Sequence, residues 1–75
     1  MTKIELQGID APVVVEVLGD RRYKIGSDEF IVQPGTDFVA RETPSGTSQI
    51  SHWGLKLEYG DAVADFFLRE SEKDI

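Results

Sequence analysis

The sequence predicts an all-β or β-rich α+β domain: a small antiparallel barrel or sandwich of about six to eight short strands, with room for one short C-terminal helix. Two observations carry this. The glycines at positions 8, 19, 26, 35, 46, 54 and 60, with Pro12, Pro34 and Pro44 in the same joints, cut the 75-residue chain into strand-length pieces. Several of those pieces alternate apolar and polar residues with period two, the signature of a half-buried strand. A chain this short forms one domain, expected over residues 1–70, with 71–75 as a charged, frayed tail.

Thr2 to Gln7 places Ile4 and Leu6 on one face and Lys3, Glu5 and Gln7 on the other. Val13 to Leu18 is the strongest strand, because its four valines carry branched Cβ atoms that suit a pleated surface. Gly19-Asp20 reads as a two-residue hairpin turn with glycine at the position of positive φ, returning the chain through Arg21 to Ile25. Gly26 to Asp28 turns it again into Glu29 to Gln33. In Gln33-Pro34-Gly35-Thr36, proline pre-sets φ and glycine accepts a positive φ, so a type II turn leads into Asp37 to Glu42. Thr43 to Ser51 is polar apart from Ile50, and reads as a mobile loop followed by a weak strand. Leu55 to Tyr59 alternates once more.

Asp61 to Glu70 fits two patterns. As a helix it has Asp61 as N-cap and a stripe of Val63, Phe66 and Phe67, but Glu70 and Glu72 oppose the helix dipole. As a strand it puts Ala62, Ala64, Phe66 and Leu68 on one face, in register with Leu55, Leu57 and Tyr59 across Gly60-Asp61. The strand is the preferred reading.

Eight Lys and Arg stand against fourteen Asp and Glu, a net charge of -6. Such a chain repels phosphate backbones and anionic membranes at long range, so no generic nucleic-acid or membrane binding is expected. A protein with a basic surface is the better partner. Cysteine is absent, which removes disulfides, thiolate metal ligands and thiol nucleophiles. No apolar stretch approaches a membrane span, and a cytoplasmic location is expected.

Catalytic arrangements are mostly excluded by inventory. A single histidine, His52, cannot build a two-histidine zinc site, and Ser51 and His52 on one strand would point to opposite faces. The interval from Gly19 to Ser27 lacks the spacing and the lysine of a phosphate-binding loop. No catalytic residue, metal or cofactor is therefore expected.

Three features remain for recognition. Arg21, Arg22 and Lys24 around Tyr23 form the only basic cluster, with Arg22 and Lys24 on one solvent-facing side of a strand. Charges there also protect a hairpin from edge aggregation. His52 and Trp53 lie beside the polar loop. A lone Trp belongs most often to the core, yet next to glycine it can anchor an interface. From Glu58 onward, Glu58, Asp61, Asp65 and Glu70 contribute to a local acidic excess suited to a basic surface.

A surplus of apolar residues on the expected outer face, namely Val14, Leu18, Ile31, Val39, Val63 and Phe67, predicts a homo-oligomer unless a C-terminal helix covers them. The functional expectation is a non-enzymatic protein-binding module: a small inhibitor, adaptor or assembly factor, such as an accessory protein of a phage or other mobile element. The alternative is a structural β subunit of a homo-oligomer with a ligand site between subunits.

Overall fold

A computed structural model describes residues 2–73. Six strands form one open antiparallel sheet in sequence order: β1 (Thr2–Leu6), β2 (Val13–Gly19), β3 (Arg22–Ile25), β4 (Asp28–Val32), β5 (Phe38–Thr43) and β6 (Gly46–Ser51). Two helices follow, α1 (His52–Tyr59) and α2 (Asp61–Glu72). The β-rich α+β expectation holds at that level. The sheet does not close into a barrel, because β1 and β6 are its two free ends.

Every connection in the sheet is a hairpin or short loop, as the glycine rhythm requires. The β2–β3 turn differs from the glycine-centred expectation. Gly19 pairs with Arg22, so the loop residues are Asp20 and Arg21, and Arg21 carries the positive φ of 62°. A register shift between Val17 and Gly19 marks a bulge at Leu18. At the β4–β5 turn the expectation is met: Gly35 has φ 78° and the Thr36 N–H donates to the Gln33 carbonyl at 3.2 Å. Thr43 to Ser51 contains no long loop. Thr43 pairs with Gly46, the Ser45 N–H donates to Thr43 Oγ1, and β6 follows at once.

The inner face of the sheet carries Val15, Tyr23, Phe30, Val32, Val39 and Ile50, all buried. Both helices pack onto it. The two C-terminal strands expected from the sequence are these helices instead, for a reason visible in the side chains. In a strand, Phe66 and Phe67 would face opposite sides, whereas on a helix they lie about 100° apart and share one stripe. Phe67 is fully buried against Phe30, with ring centroids 5.3 Å apart, and Phe66 packs edge-on to Tyr23 at 5.2 Å.

In α1, Leu55 and Tyr59 at i and i+4 face inward, Leu55 fully buried and Tyr59 edge-on to Phe30 at 5.8 Å. Ser51 caps α1 by accepting the Gly54 N–H, and the Gly60 N–H donates to the Lys56 carbonyl at its end. The cap of α2 is Gly60, with no side-chain bond, and not Asp61, which lies in the first turn.

Residues expected to fray belong partly to the fold. Ser71 lies within α2, is 2% exposed, and its carbonyl accepts the Gly35 N–H at 3.2 Å. Residues 74–75 of the expected tail lie outside the described residues. None of the described helices is long and apolar enough to cross a membrane.

Candidate functional site

Burial divides the residues that the sequence nominated. Of the expected outward apolar set, Val39, Val63 and Phe67 are fully buried beneath or within the helical layer, so they form no surface patch. Val14 and Leu18 do face out, at 46% and 37% exposure, and Ile31 is half-buried on the open sheet face. The helices supply the cover that the strand reading lacked.

The basic cluster is likewise split by strand alternation. Tyr23 points into the core, while Arg22 and Lys24 lie on the open face as expected. There Lys24 pairs across strands with Glu16 and Glu29, and Arg22 Nη1 lies 3.5 Å from Glu29 Oε1. Each cation thus has a carboxylate neighbour. Arg21 holds the hairpin to β4, its carbonyl accepting the Val32 N–H at 2.9 Å.

Tyr23 and Glu70 form a polar link between sheet and helix. The Tyr23 hydroxyl donates to Glu70, and Glu70 also receives Lys73 Nζ at 2.6 Å. This answers the dipole objection for Glu70, since Lys73 and the phenol offset its carboxylate charge. Burial and the bond to Glu70 push the Tyr23 phenol well above its ordinary value. Burial alone would raise the Glu70 carboxyl, but Lys73 and Tyr23 outweigh it and hold the group below its usual range.

The signs differ for the two groups. Glu70, depressed in the native state, contributes stability that is fully present above about pH 4.5 and is lost as pH falls through its native value. Tyr23, raised in the native state, contributes stability that is fully present below pH 10.0 and is lost as pH rises beyond it. Tyr23→Phe is expected to cost about 2 kcal/mol at neutral pH and to flatten the alkaline decline. Denaturant titrations at neutral and strongly alkaline pH check this. Tyr59, pushed up to about 12 by burial and Glu58, supplies the remaining alkaline slope.

Glu58 is held by Arg41 at 2.7 Å, another link from sheet to helix. His52 begins α1 with its Nε2 buried and without a hydrogen-bond partner, so it is neither on a strand nor turned outward. Ser51 Oγ accepts the Gly54 N–H at 3.0 Å as the cap of α1.

Among the described residues, the three most exposed large apolar side chains are Trp53 (65%), Leu57 (64%) and Ile9 (61%), with Val14, Leu18, Phe38 and Leu68 exposed to a lesser degree. Trp53 and Leu57 are i and i+4 on the outer side of α1, and Lys56 Nζ sits 5.3 Å from the Trp53 ring centroid. Leu57 and Ile9, the latter on the β1–β2 loop, both line an open groove of about 670 Å³ at the α1–α2 junction. Its rim carries Lys56, Asp61 and Asp65, with Gly60 in the wall. Lys56 and Asp61 approach to 3.7 Å, while Asp65 projects into solvent.

Sequence reasoning named Trp53, Asp61 and Asp65 but not Ile9 or Leu57. Ile9 sits between Gly8 and Asp10, where no periodicity applies. Leu57 was assigned to a strand face, and its exposure follows only from the helix. No protein-family model, curated protein or solved structure matches this chain.

Proposed function

We propose that the protein is a non-enzymatic binding module that docks a basic protein through the groove between Ile9 and Leu57. The observation that carries this reading is the coincidence in one groove of Ile9 and Leu57, two of the three most exposed large apolar side chains among the described residues, with Asp61 and Asp65. Scattered apolar residues are ordinary on a surface, but a cleft that holds two exposed aliphatic side chains, with Trp53 on the same helix as one of them and two acids among its lining residues, resembles an interface core and its polar edge. In a chain of net charge -6 the acids also steer a cationic partner toward it. The partner segment would place aliphatic side chains between Ile9 and Leu57 and a Lys or Arg against Asp61 and Asp65. An inhibitor, adaptor or assembly factor would use such a surface.

Copurification from the native host identifies the partner, and two variants test the site. Leu57→Asp is expected to weaken binding by about 10- to 100-fold, the range for truncating a buried anchor, while leaving the fold intact because Leu57 lies on the outside. Asp65→Lys is expected to slow association and to reduce its salt dependence. A captured protein that binds both variants as well as the unaltered chain, or that binds more tightly as salt is added, would refute this reading.

A further inference from the structure

A second surface lies at the β6 edge of the sheet. β6 ends the sheet, so one row of its main-chain donors and acceptors faces no strand. The phase of that row follows from the register. The His52 N–H donates to the Asp37 carbonyl at 3.0 Å, and residues paired across β5 and β6 alternate between bonded and non-bonded types. Residues 46, 48 and 50 therefore bond to β5, and Thr47, Gln49 and Ser51 turn their N–H groups outward.

The two free edges are unlike. β1 alternates Lys3 and Glu5, the charges that discourage strand addition. β6 reads Gly-Thr-Ser-Gln-Ile-Ser, with no lysine, no proline and no bulge, and residues 46–49 are all exposed. The exposure of Ser48, whose side chain belongs to the inner face, means that α1 does not overhang the edge there. Residues 43–55 are the longest stretch of the chain without Asp, Glu, Lys or Arg. In a protein of net charge -6, this is where a second copy approaches without setting like charges against each other.

We infer that two copies of the chain pair through β6, antiparallel about a two-fold axis at Gln49, to make one continuous sheet. This register engages all three outward-facing residues. Gln49 meets Gln49 of the second copy, Thr47 meets Ser51 of the second copy, and the reverse pair completes the ladder. Ser48 then faces Ile50 of the second copy on the inner side, so buried and exposed faces remain aligned. No residue of the Ile9–Leu57 groove takes part, and this inference stands or falls independently of the proposed function.

The two interactions also respond oppositely to salt. Docking of a basic partner weakens as salt is added, whereas pairing of two acidic copies strengthens because their mutual repulsion is screened. Sedimentation equilibrium of the full chain, from low to high micromolar concentration and at two ionic strengths, provides the test. The expected result is a rise from 8.4 kDa toward twice that mass, steeper at high salt.

Gln49→Lys sets two ammonium groups together at the axis and is expected to weaken pairing roughly tenfold or more. Gln49→Pro removes the central outward donor without touching a bond to β5, and should leave a monomer. Ala11→Lys, which makes the same charge change on an exposed loop, should behave as the unaltered chain. In the dimer, the amide hydrogens of Thr47 and Gln49 become protected from exchange. A monomer throughout, or a dimer that both Gln49 variants leave intact, would overturn the inference. If Gln49→Pro does not fold, Gln49→Lys alone decides.

Discussion

Phe67→Ala is expected to remove a large share of the stability of this domain. Phe67 is fully buried and meets Phe30, Tyr23 and Phe66 with ring centroids 5.3, 5.6 and 5.4 Å away. Truncating a buried Phe costs about 3–5 kcal/mol, through lost transfer energy and the cavity left behind. At the usual stability per residue, a domain of this length has about 4–11 kcal/mol in total. The variant should therefore denature at much lower urea concentration, with an appreciable unfolded fraction in its absence. Leu57→Ala, on an outer helix face, should stay within about 0.5 kcal/mol of the unaltered chain. A Phe67→Ala cost below about 1 kcal/mol would mean that α2 is not seated on the sheet.

Gly60→Ala is the second large effect, and its origin is conformational. Gly60 joins the two helices with φ 105° and ψ 171°, a region essentially reserved for glycine. A Cβ there would meet Ile9 N at 3.4 Å, an ordinary contact, so space is not the obstacle. Strain of this kind costs about 1–3 kcal/mol. Both neighbouring helices depend on the junction, since the Gly60 N–H donates to the Lys56 carbonyl and the Gly60 carbonyl accepts the Ala64 N–H at 3.2 Å. Thermal unfolding should show a lowered midpoint. Because Gly60 also walls the groove, partner binding should weaken along with stability.

The strands were legible because each signal acted locally. Branched residues in β2, alternation in β1, and the Pro34-Gly35 turn all operate over a few residues and survive in the structure. The helices were misread because their apolar residues fit both periods. Leu55, Leu57 and Tyr59 alternate perfectly, yet only Leu55 and Tyr59 point inward, and Leu57 is left outside.

The deciding marks lay at the ends. Ser51 as N-cap and Gly60 as C-cap bracket an eight-residue helix, and the adjacent pair Phe66-Phe67 is costly in a one-sided strand but natural on a helix stripe. That difference reaches the site. Once α1 is a helix, Trp53 and Leu57 share an outer face, and Gly60 lies against Ile9, which lines the groove with Leu57 from a loop about fifty residues earlier in sequence. A contact of that separation leaves no trace in local pattern. The acidic residues were easier to nominate than to rank, because charge is read from composition whereas pairing is not: Glu58 and Glu70 are tied to Arg41, Tyr23 and Lys73, whereas Asp61 and Asp65 are exposed at the groove, Asp61 with Lys56 3.7 Å away.

The most direct test of the docking surface is an amide chemical-shift titration of the isotope-labelled protein with its copurified partner. Shifts should concentrate at Ile9, Leu57, Asp61 and Asp65 and at the Trp53 indole, and should fade as salt is added. Saturable binding whose shifts fall instead on Arg22, Lys24 and Glu29 of the open sheet face, with the groove unmoved, would contradict the account.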